Sequence, residues 1–176
     1  MTRIRRESDA ETWRSMTFEI RDATNADGEA VRDVVSSVLA EYGLAYDPDT
    51  TEADLADLDS AYSQRGGVFR VVRAGDGAVV GCGGLHPVSR DEIELRKMYL
   101  LPGVRGRGIG RRLLEDLLSE ARRRGFARVV LETASVLREA ISLYRRAGFE
   151  PIGSGDPSGR CDQAFALSLS SREGSA

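Results

Sequence analysis

Hydrophobic positions in this chain follow two periods, two and 3.6 residues, and the switches between them predict its elements. Residues 17–21 alternate and predict a first strand. Ala30, Val31, Val34, Val35, Val38 and Leu39 recur at helical spacing within residues 27–41, and Gly43 stops that helix. Residues 44–50 read as a loop broken by Pro48. Thr51 is a candidate cap for a second helix, with Asp54 on its first turn and Leu55 and Leu58 on its buried face. Residues 68–73 and 78–85 make a hairpin about the turn Gly75-Asp76-Gly77. Residues 92–101 form a fourth strand closed by Pro102, and a Gly-rich segment follows. A helix over residues 108–124 then puts Leu113, Leu114, Leu117, Leu118 and Ala121 on one face and ends at Gly125. A fifth strand (127–132), a helix (136–147) with Ala140, Ile141, Leu143 and Tyr144 apolar, and two last strands (149–153 and 161–169) complete the pattern.

The order βααβββαβαββ is that of a single α/β domain. Strand, Gly-rich loop, helix and parallel strand form a βαβ unit, expected to be right-handed. A ligand belongs at the carboxyl ends of such strands.

Composition narrows the class. The 176 residues are 41% hydrophobic and 30% charged, the balance of a globular domain with a real core. No apolar run approaches the roughly 18 residues that span a bilayer, so no membrane partner is expected. Residues 1–15 are polar and aperiodic, a disordered tail with no signal-peptide core, and Met16 is an alternative start. The domain is read as residues 16–170, with a polar tail at 171–176 and a cytoplasmic location. Cys82 and Cys161 lack the paired spacing of a zinc site and are too few for a disulfide framework, so no metal is expected. They read as two buried small residues of a reducing compartment.

The net charge of −3 argues against a nucleic-acid partner, but the basic residues are unevenly placed. Arg105, Arg107, Arg111 and Arg112 crowd one stretch, which suggests an anionic ligand. Lys97 is the only lysine; every other basic side chain is a planar, phosphate-matching arginine. The cluster surrounds a glycine loop that opens a helix. There the first N–H groups have no internal partner and the helix dipole adds positive charge. A Walker A loop would need Lys-Ser/Thr after Gly110, where Arg111 and Arg112 stand. A dinucleotide fingerprint would need a third glycine at position 111. A turn without a ligand leaves the four arginines unexplained.

The segment from Glu94 through Pro102 to Arg105-Gly106-Arg107-Gly108-Ile109-Gly110 resembles motif A of the GCN5-related N-acetyltransferase (GNAT) superfamily. Leu131-Glu132-Thr133, followed by Ala140-Ile141-Ser142-Leu143-Tyr144 and Gly148-Phe149, resembles its motif B. The resemblance implies one domain whose mixed sheet of about seven strands splays between strands 4 and 5, flanked by about four helices. It implies an acyltransferase that moves an acetyl group from acetyl-CoA to a primary amine. A protein or peptide acetyltransferase and a non-catalytic acyl-CoA sensor are the alternatives. Dimers are common in the superfamily, so a homodimer is also implied as an option.

Residue by residue, the resemblance puts the backbone of Met98, Tyr99 and Leu100 against the acetyl and pantetheine groups, with the Met98 N–H toward the oxyanion. It puts the amides of Gly106, Arg107, Gly108, Ile109, Gly110 and Arg111 on the pyrophosphate. Arg105 and Arg107 add side-chain contacts to phosphate, and Arg111 or Arg112 reaches the 3′-phosphate. Tyr144 matches the general acid toward the departing thiolate. Glu94 is the first candidate for the base, with Glu92, Glu132 and a water chain as alternatives, and His86 as a possible water holder. Many relatives carry Asn after the fifth strand; here Thr133 or Ser135 stands in for it. The acceptor loops would be residues 42–50, with Tyr46, Asp47 and Asp49 suiting a cationic amine, and residues 153–160.

Overall fold

The computed structural model describes residues 15–155 and 159–169, and both predicted tails lie almost wholly outside them. Strand β1 (Phe18–Asp22) leads through a 3-10 turn (Asn25–Asp27) into helix α1 (Gly28–Glu41). After a short helix α2 (Leu58–Ala61) come β2 (Val68–Ala74), β3 (Val79–Pro87) and β4 (Glu92–Leu100). Helix α3 (Ile109–Arg123), β5 (Arg128–Thr133), α4 (Arg138–Arg146), β6 (Glu150–Gly153) and β7 (Gln163–Ser168) follow. The strands form one sheet in the order β1-β2-β3-β4-β5-β7-β6. Only β4 and β5 pair in parallel, as the βαβ reading requires.

Two apolar clusters hold the layers together. Val31, Val34, Val35 and Leu39 of α1 pack with Leu55, Leu58, Tyr62, Phe69 and Val71. Leu113, Leu114 and Leu117 of α3 pack with Val72, Leu85, Ile93, Leu95, Val129 and Phe165, and Tyr144 and Phe149 join them. The α3 stripe is thus the buried face that its leucine spacing predicts. Gly84 sets the fit of the first cluster: a Cβ there would stand 2.6 Å from the Tyr62 ring and 2.7 Å from that of Phe69.

The segment after the first loop departs from expectation. Instead of a helix capped by Thr51, it forms a 3-10 turn (Ala53–Leu55) and then α2, whose N-cap is Asp57 accepting from the Ser60 amide at 2.9 Å. The Thr51 hydroxyl donates instead to Glu52 at 2.7 Å. Glu52 and Asp54 turn inward to polar partners, so the stretch cannot run on as a surface helix. Leu55 and Leu58 are buried, but from two separate turns. Of the two cysteines expected inside, Cys82 is buried and Cys161 only half-buried.

Candidate active site

The parallel ladder between β4 and β5 is short. Glu92, Ile93 and Glu94 pair with Arg128, Val129 and Val130, and pairing then stops although β4 runs on to Leu100 and β5 to Thr133. A gap therefore opens between the carboxyl halves of the two strands. On its other edge β4 is bulged: Arg96 pairs with Gly84 and Tyr99 with Cys82, leaving Lys97 and Met98 opposite Gly83. Neither has a register partner on β3 or β5. Lys97 takes a left-handed φ of 53°, the sole positive φ at a non-glycine among the described residues. Such a conformation costs an L-residue about 1–2 kcal/mol, and bulges built on it favour glycine. An unpaired strand edge of this kind accepts an extended chain through its backbone groups.

The Gly-rich loop begins where β4 ends. A 3-10 turn (Pro102–Val104) buries Val104, and Gly106 and Gly108 take left-handed φ of 73° and 76°. The Arg105 amide donates to Pro102 at 3.2 Å and the Arg112 amide to Gly108 at 3.0 Å. Between them lies the first turn of α3, where the N–H groups of a helix have no intrahelical carbonyl to meet. Ile109 anchors this helix start in the core, and Gly110 lies under Leu100, whose Cδ1 would be 3.2 Å from an added Cβ. Backbone donors and the positive end of α3 thus converge beside the gap.

The loop arginines have individual partners. Arg105 donates to both carboxylate oxygens of Glu41 at 2.7 and 2.9 Å and to the Leu100 carbonyl at 3.0 Å. Its guanidinium therefore ties the loop to the end of α1 and to the end of β4. Arg107 stacks over the Phe18 ring at 4.7 Å, and Arg111 pairs with Glu115 at 2.8 Å on the exposed face of α3.

Tyr144 is 6% exposed, and burial, with Tyr99 and Cys161 nearby, pushes its phenol well above the ordinary tyrosine range. It keeps its proton at neutral pH. Glu94 accepts from Arg96 Nε at 2.6 Å and Nη2 at 2.5 Å, both on Oε2. Among the described residues no bond to its Oε1 is recorded. His86 stands opposite Glu94 in register, and its Nδ1 lies 3.1 Å from the Ala61 carbonyl. Glu92 pairs with Arg128 at 3.1 Å, and Glu132 is exposed. At the end of β5 Thr133 is buried, while Ser135 meets Asp162 through both its amide and its hydroxyl, each at 2.7 Å.

Of the acids in the first acceptor loop, Asp47 organises its own turn, accepting from the Asp49 amide at 3.0 Å and the Thr50 hydroxyl at 2.7 Å. Asp49 is exposed. The Tyr46 hydroxyl is buried with no hydrogen-bond partner recorded among the described residues.

A cluster that no sequence pattern marked lies beside the β4 bulge. The Glu52 side chain is fully buried and takes bonds from Arg160 at 2.5 Å, the Asp47 amide at 2.9 Å and the Thr51 hydroxyl. Burial would raise its carboxyl, but those donors outweigh it and hold the group at about 2. Lys97 donates to the Thr51 carbonyl, with its Nζ 3.5 Å from Glu52 and 3.6 Å from Asp54. Asp54 also accepts from the Tyr62 hydroxyl. Arg160 donates in addition to the Ala45 carbonyl at 2.8 Å, so one guanidinium joins the two predicted acceptor loops. Glu52, Lys97 and Arg160 lie far apart in the sequence, and only the fold brings them together.

A profile of the Acetyltransferase (GNAT) family matches residues 33–149, two thirds of the chain. The uncharacterised N-acetyltransferase YjgM of Escherichia coli K12 is 44% identical over 138 residues, covering 76% of this chain and 82% of that protein. Among solved structures, a GNAT-family acetyltransferase of Staphylococcus aureus Mu50 superposes with a TM-score of 0.83 at 21% identity, over 88% of this chain and all of the other. A GNAT-superfamily phosphinothricin acetyltransferase of Sinorhizobium meliloti, in complex with acetyl-CoA, superposes with a TM-score of 0.68 at 26% identity, over 86% of each chain. A seven-stranded sheet that opens between β4 and β5 beside a glycine-rich helix start, together with these likenesses, places the chain in the GNAT family of N-acetyltransferases.

Proposed function

We propose that the chain transfers the acetyl group of acetyl-CoA to a primary amine of a small molecule, by direct attack of the amine on the thioester through a tetrahedral intermediate. The observation that carries this reading is the end of β4–β5 pairing at Glu94 and Val130, beside the glycine-rich N-terminus of α3. A pantetheine arm fits such a gap as an added strand, its amides meeting the backbone of Met98, Tyr99 and Leu100. The pyrophosphate then falls on the amides of residues 106–111, where the α3 dipole favours an anion. Gly106 and Gly108 keep that surface free of Cβ atoms, Ile109 and Gly110 seat it, and Arg107 and Arg111 add exposed positive charge. Arg105 serves mainly by holding the loop, because its guanidinium is shared between Glu41 and Leu100. Thr133 and Ser135 stand at the far wall of the gap.

An alkylammonium has a pKa near about 10, so the acceptor must lose a proton before it attacks. Glu94 is assigned that proton, through the oxygen outside its pair with Arg96. The amine nitrogen then bonds the thioester carbon, and the Met98 N–H stabilises the oxyanion that forms. Collapse breaks the C–S bond and expels the CoA thiolate, which takes the Tyr144 proton. The nitrogen sheds its second proton as the amide forms, and that proton restores the phenol by way of solvent, while Glu94 releases the first. Burial keeps the Tyr144 phenol protonated in the resting site, so that it has a proton to give as the sulfur departs.

The bridge of Arg160 to Glu52 and Ala45 supports a bounded pocket and hence a small acceptor, where an extended peptide would need an open groove. The neighbour named phosphinothricin acetyltransferase is consistent with that class. The proposed catalytic domain is residues 16–170. A cytoplasmic setting is supported by the two free thiols, Cys82 and Cys161. The test is CoA release from acetyl-CoA and longer acyl-CoAs against a panel of small amines and extended peptides. Turnover with a small primary amine is expected. Faster turnover with peptides would move the acceptor class, and acetyl-CoA binding without turnover on any amine would leave only a sensor.

A further inference from the structure

Lys97 joins three observations that the reading above does not use. It holds a left-handed φ of 53° at the bulge that separates Met98 from both neighbouring strands. It is the chain's only lysine, against twenty-four arginines obtained by subtracting it from 25 basic residues. Its side chain is only 10% exposed although it carries a charge.

Both ends of the residue are tied down. Its carbonyl accepts from the Cys82 thiol on β3 at 3.2 Å. Its ammonium donates to the Thr51 carbonyl and lies 3.5 and 3.6 Å from the carboxylates of Glu52 and Asp54. A lysine in a left-handed conformation persists only when its surroundings over-determine it. Here the surroundings are identifiable. The side chain is anchored to the 51–54 segment just past the first acceptor loop; Glu52 of that segment also takes the Asp47 amide of the loop and the Arg160 guanidinium of the second. A glycine would take this φ without strain, but it would leave the bulge unconnected to either loop. A compact ammonium on a flexible stem reaches three oxygens in one small space, which the planar arginine fork suits less well.

We infer that Lys97 is a positioning residue: its anchored ammonium holds the strained bulge in β4 and thereby aims the adjacent Met98 N–H into the β4–β5 gap. The inference rests on the proposed role of that N–H at the thioester carbonyl. The Lys97 ammonium is taken up by the Thr51 carbonyl, Glu52 and Asp54. It acts through the backbone, so its loss should appear in turnover more than in cofactor affinity. The arrangement also links oxyanion geometry to the acceptor loops, because Glu52 is shared by Lys97 and Arg160.

The test follows the Met98 amide resonance in ¹⁵N-labelled protein during titration with acetyl-CoA, alongside steady-state kinetics with an active amine. In the wild type this resonance should move downfield. In Lys97→Met the shift should be lost and kcat should fall by roughly 10–100-fold, as for a misaimed oxyanion donor, with acetyl-CoA affinity changed by no more than about threefold. Lys97→Gly, which takes the left-handed conformation unaided, should keep the Met98 shift and a kcat closer to wild type than to Lys97→Met. An unresponsive Met98 amide in the wild type sinks the oxyanion assignment and this inference with it. A responsive wild type whose shift and kcat survive in Lys97→Met overturns the role of Lys97 alone. Equal impairment of the glycine and methionine variants also overturns it, since charge rather than backbone geometry would then be at work. Should Lys97→Met not fold, Lys97→Gly decides: retention of the Met98 shift supports the inference and its loss overturns it.

Discussion

Tyr144 shows how one position can satisfy packing and chemistry together. It lies on the apolar stripe of its helix, its ring is 5.8 Å from that of Phe149, and burial keeps its phenol protonated. Tyr144→Phe should preserve the packing and the acetyl-CoA affinity while lowering kcat by about 100-fold, the scale of general acid catalysis. Isothermal titration and steady-state kinetics on the same preparation separate the two effects. Its context in the sequence marked Tyr144, but its environment did not follow from helical spacing, because Tyr99 and Cys161 arrive from β4 and from the segment before β7. Glu94 is the opposite case. Its place on β4 was legible, whereas its bond to Arg96 depends on both side chains standing on one face of the strand at i and i+2. If it takes the acceptor's proton, Glu94→Gln should remove the acidic limb of the kcat/KM pH profile. A profile that keeps that limb assigns the proton to another group.

At the scale of elements, the glycine loop and the 52–55 turn differ in how far local rules reach. Gly106 and Gly108 adopt left-handed backbone with no atom within 4 Å of an added Cβ, so Gly108→Ala adds backbone strain without a clash. We expect it to cost about 1 kcal/mol of stability. Acetyl-CoA binding should weaken by more than the uncharged turn alone would predict, since the anion-facing amides move with it. Denaturant melts and titration calorimetry measure both. The second helix failed as an expectation because Glu52 is more stable inside, with Arg160, than on a helix surface. Its carboxyl is held at about 2, below the usual value of roughly 4.3 for an unfolded chain. The folded state therefore binds that proton less tightly than the unfolded state. The stabilisation is fully present above about pH 4.5 and is lost as pH falls toward about 2. Glu52→Gln should be less stable than wild type at pH 7 and should show a shallower fall in Tm from about pH 5 to 2.5, followed by circular dichroism.

Across the whole molecule, the sheet order leaves the carboxyl half of β4 with one open edge, and it is there that we propose the donor binds. The bulge in the same strand reaches Thr51, Glu52 and Asp54 through Lys97. Binding of acetyl-CoA to the folded state alone would stabilise it by about 2.7 kcal/mol at a hundredfold excess over Kd. For a domain of this size that raises Tm by roughly 5–10 °C. Differential scanning fluorimetry with acetyl-CoA, CoA and a nucleotide lacking the pantetheine arm reads this directly. The largest shift is expected with acetyl-CoA, and an equal shift with the bare nucleotide would mean that the gap takes no pantetheine.

Local periodicity by itself determined the order of strands and helices, the leucine face of α3 and the place of the Gly-rich loop. These depend on residues that are close together in sequence: alternation along a strand, 3.6-residue spacing along a helix, glycines at a turn. Tertiary structure alone decided where β4 and β5 part, where the bulge leaves Met98 unpaired, and that Glu52, Lys97 and Arg160 meet. The physical reason is that burial of a charge depends on partners far away in the chain. Arg160 lies 108 residues from Glu52, and no pattern local to either one specifies that contact.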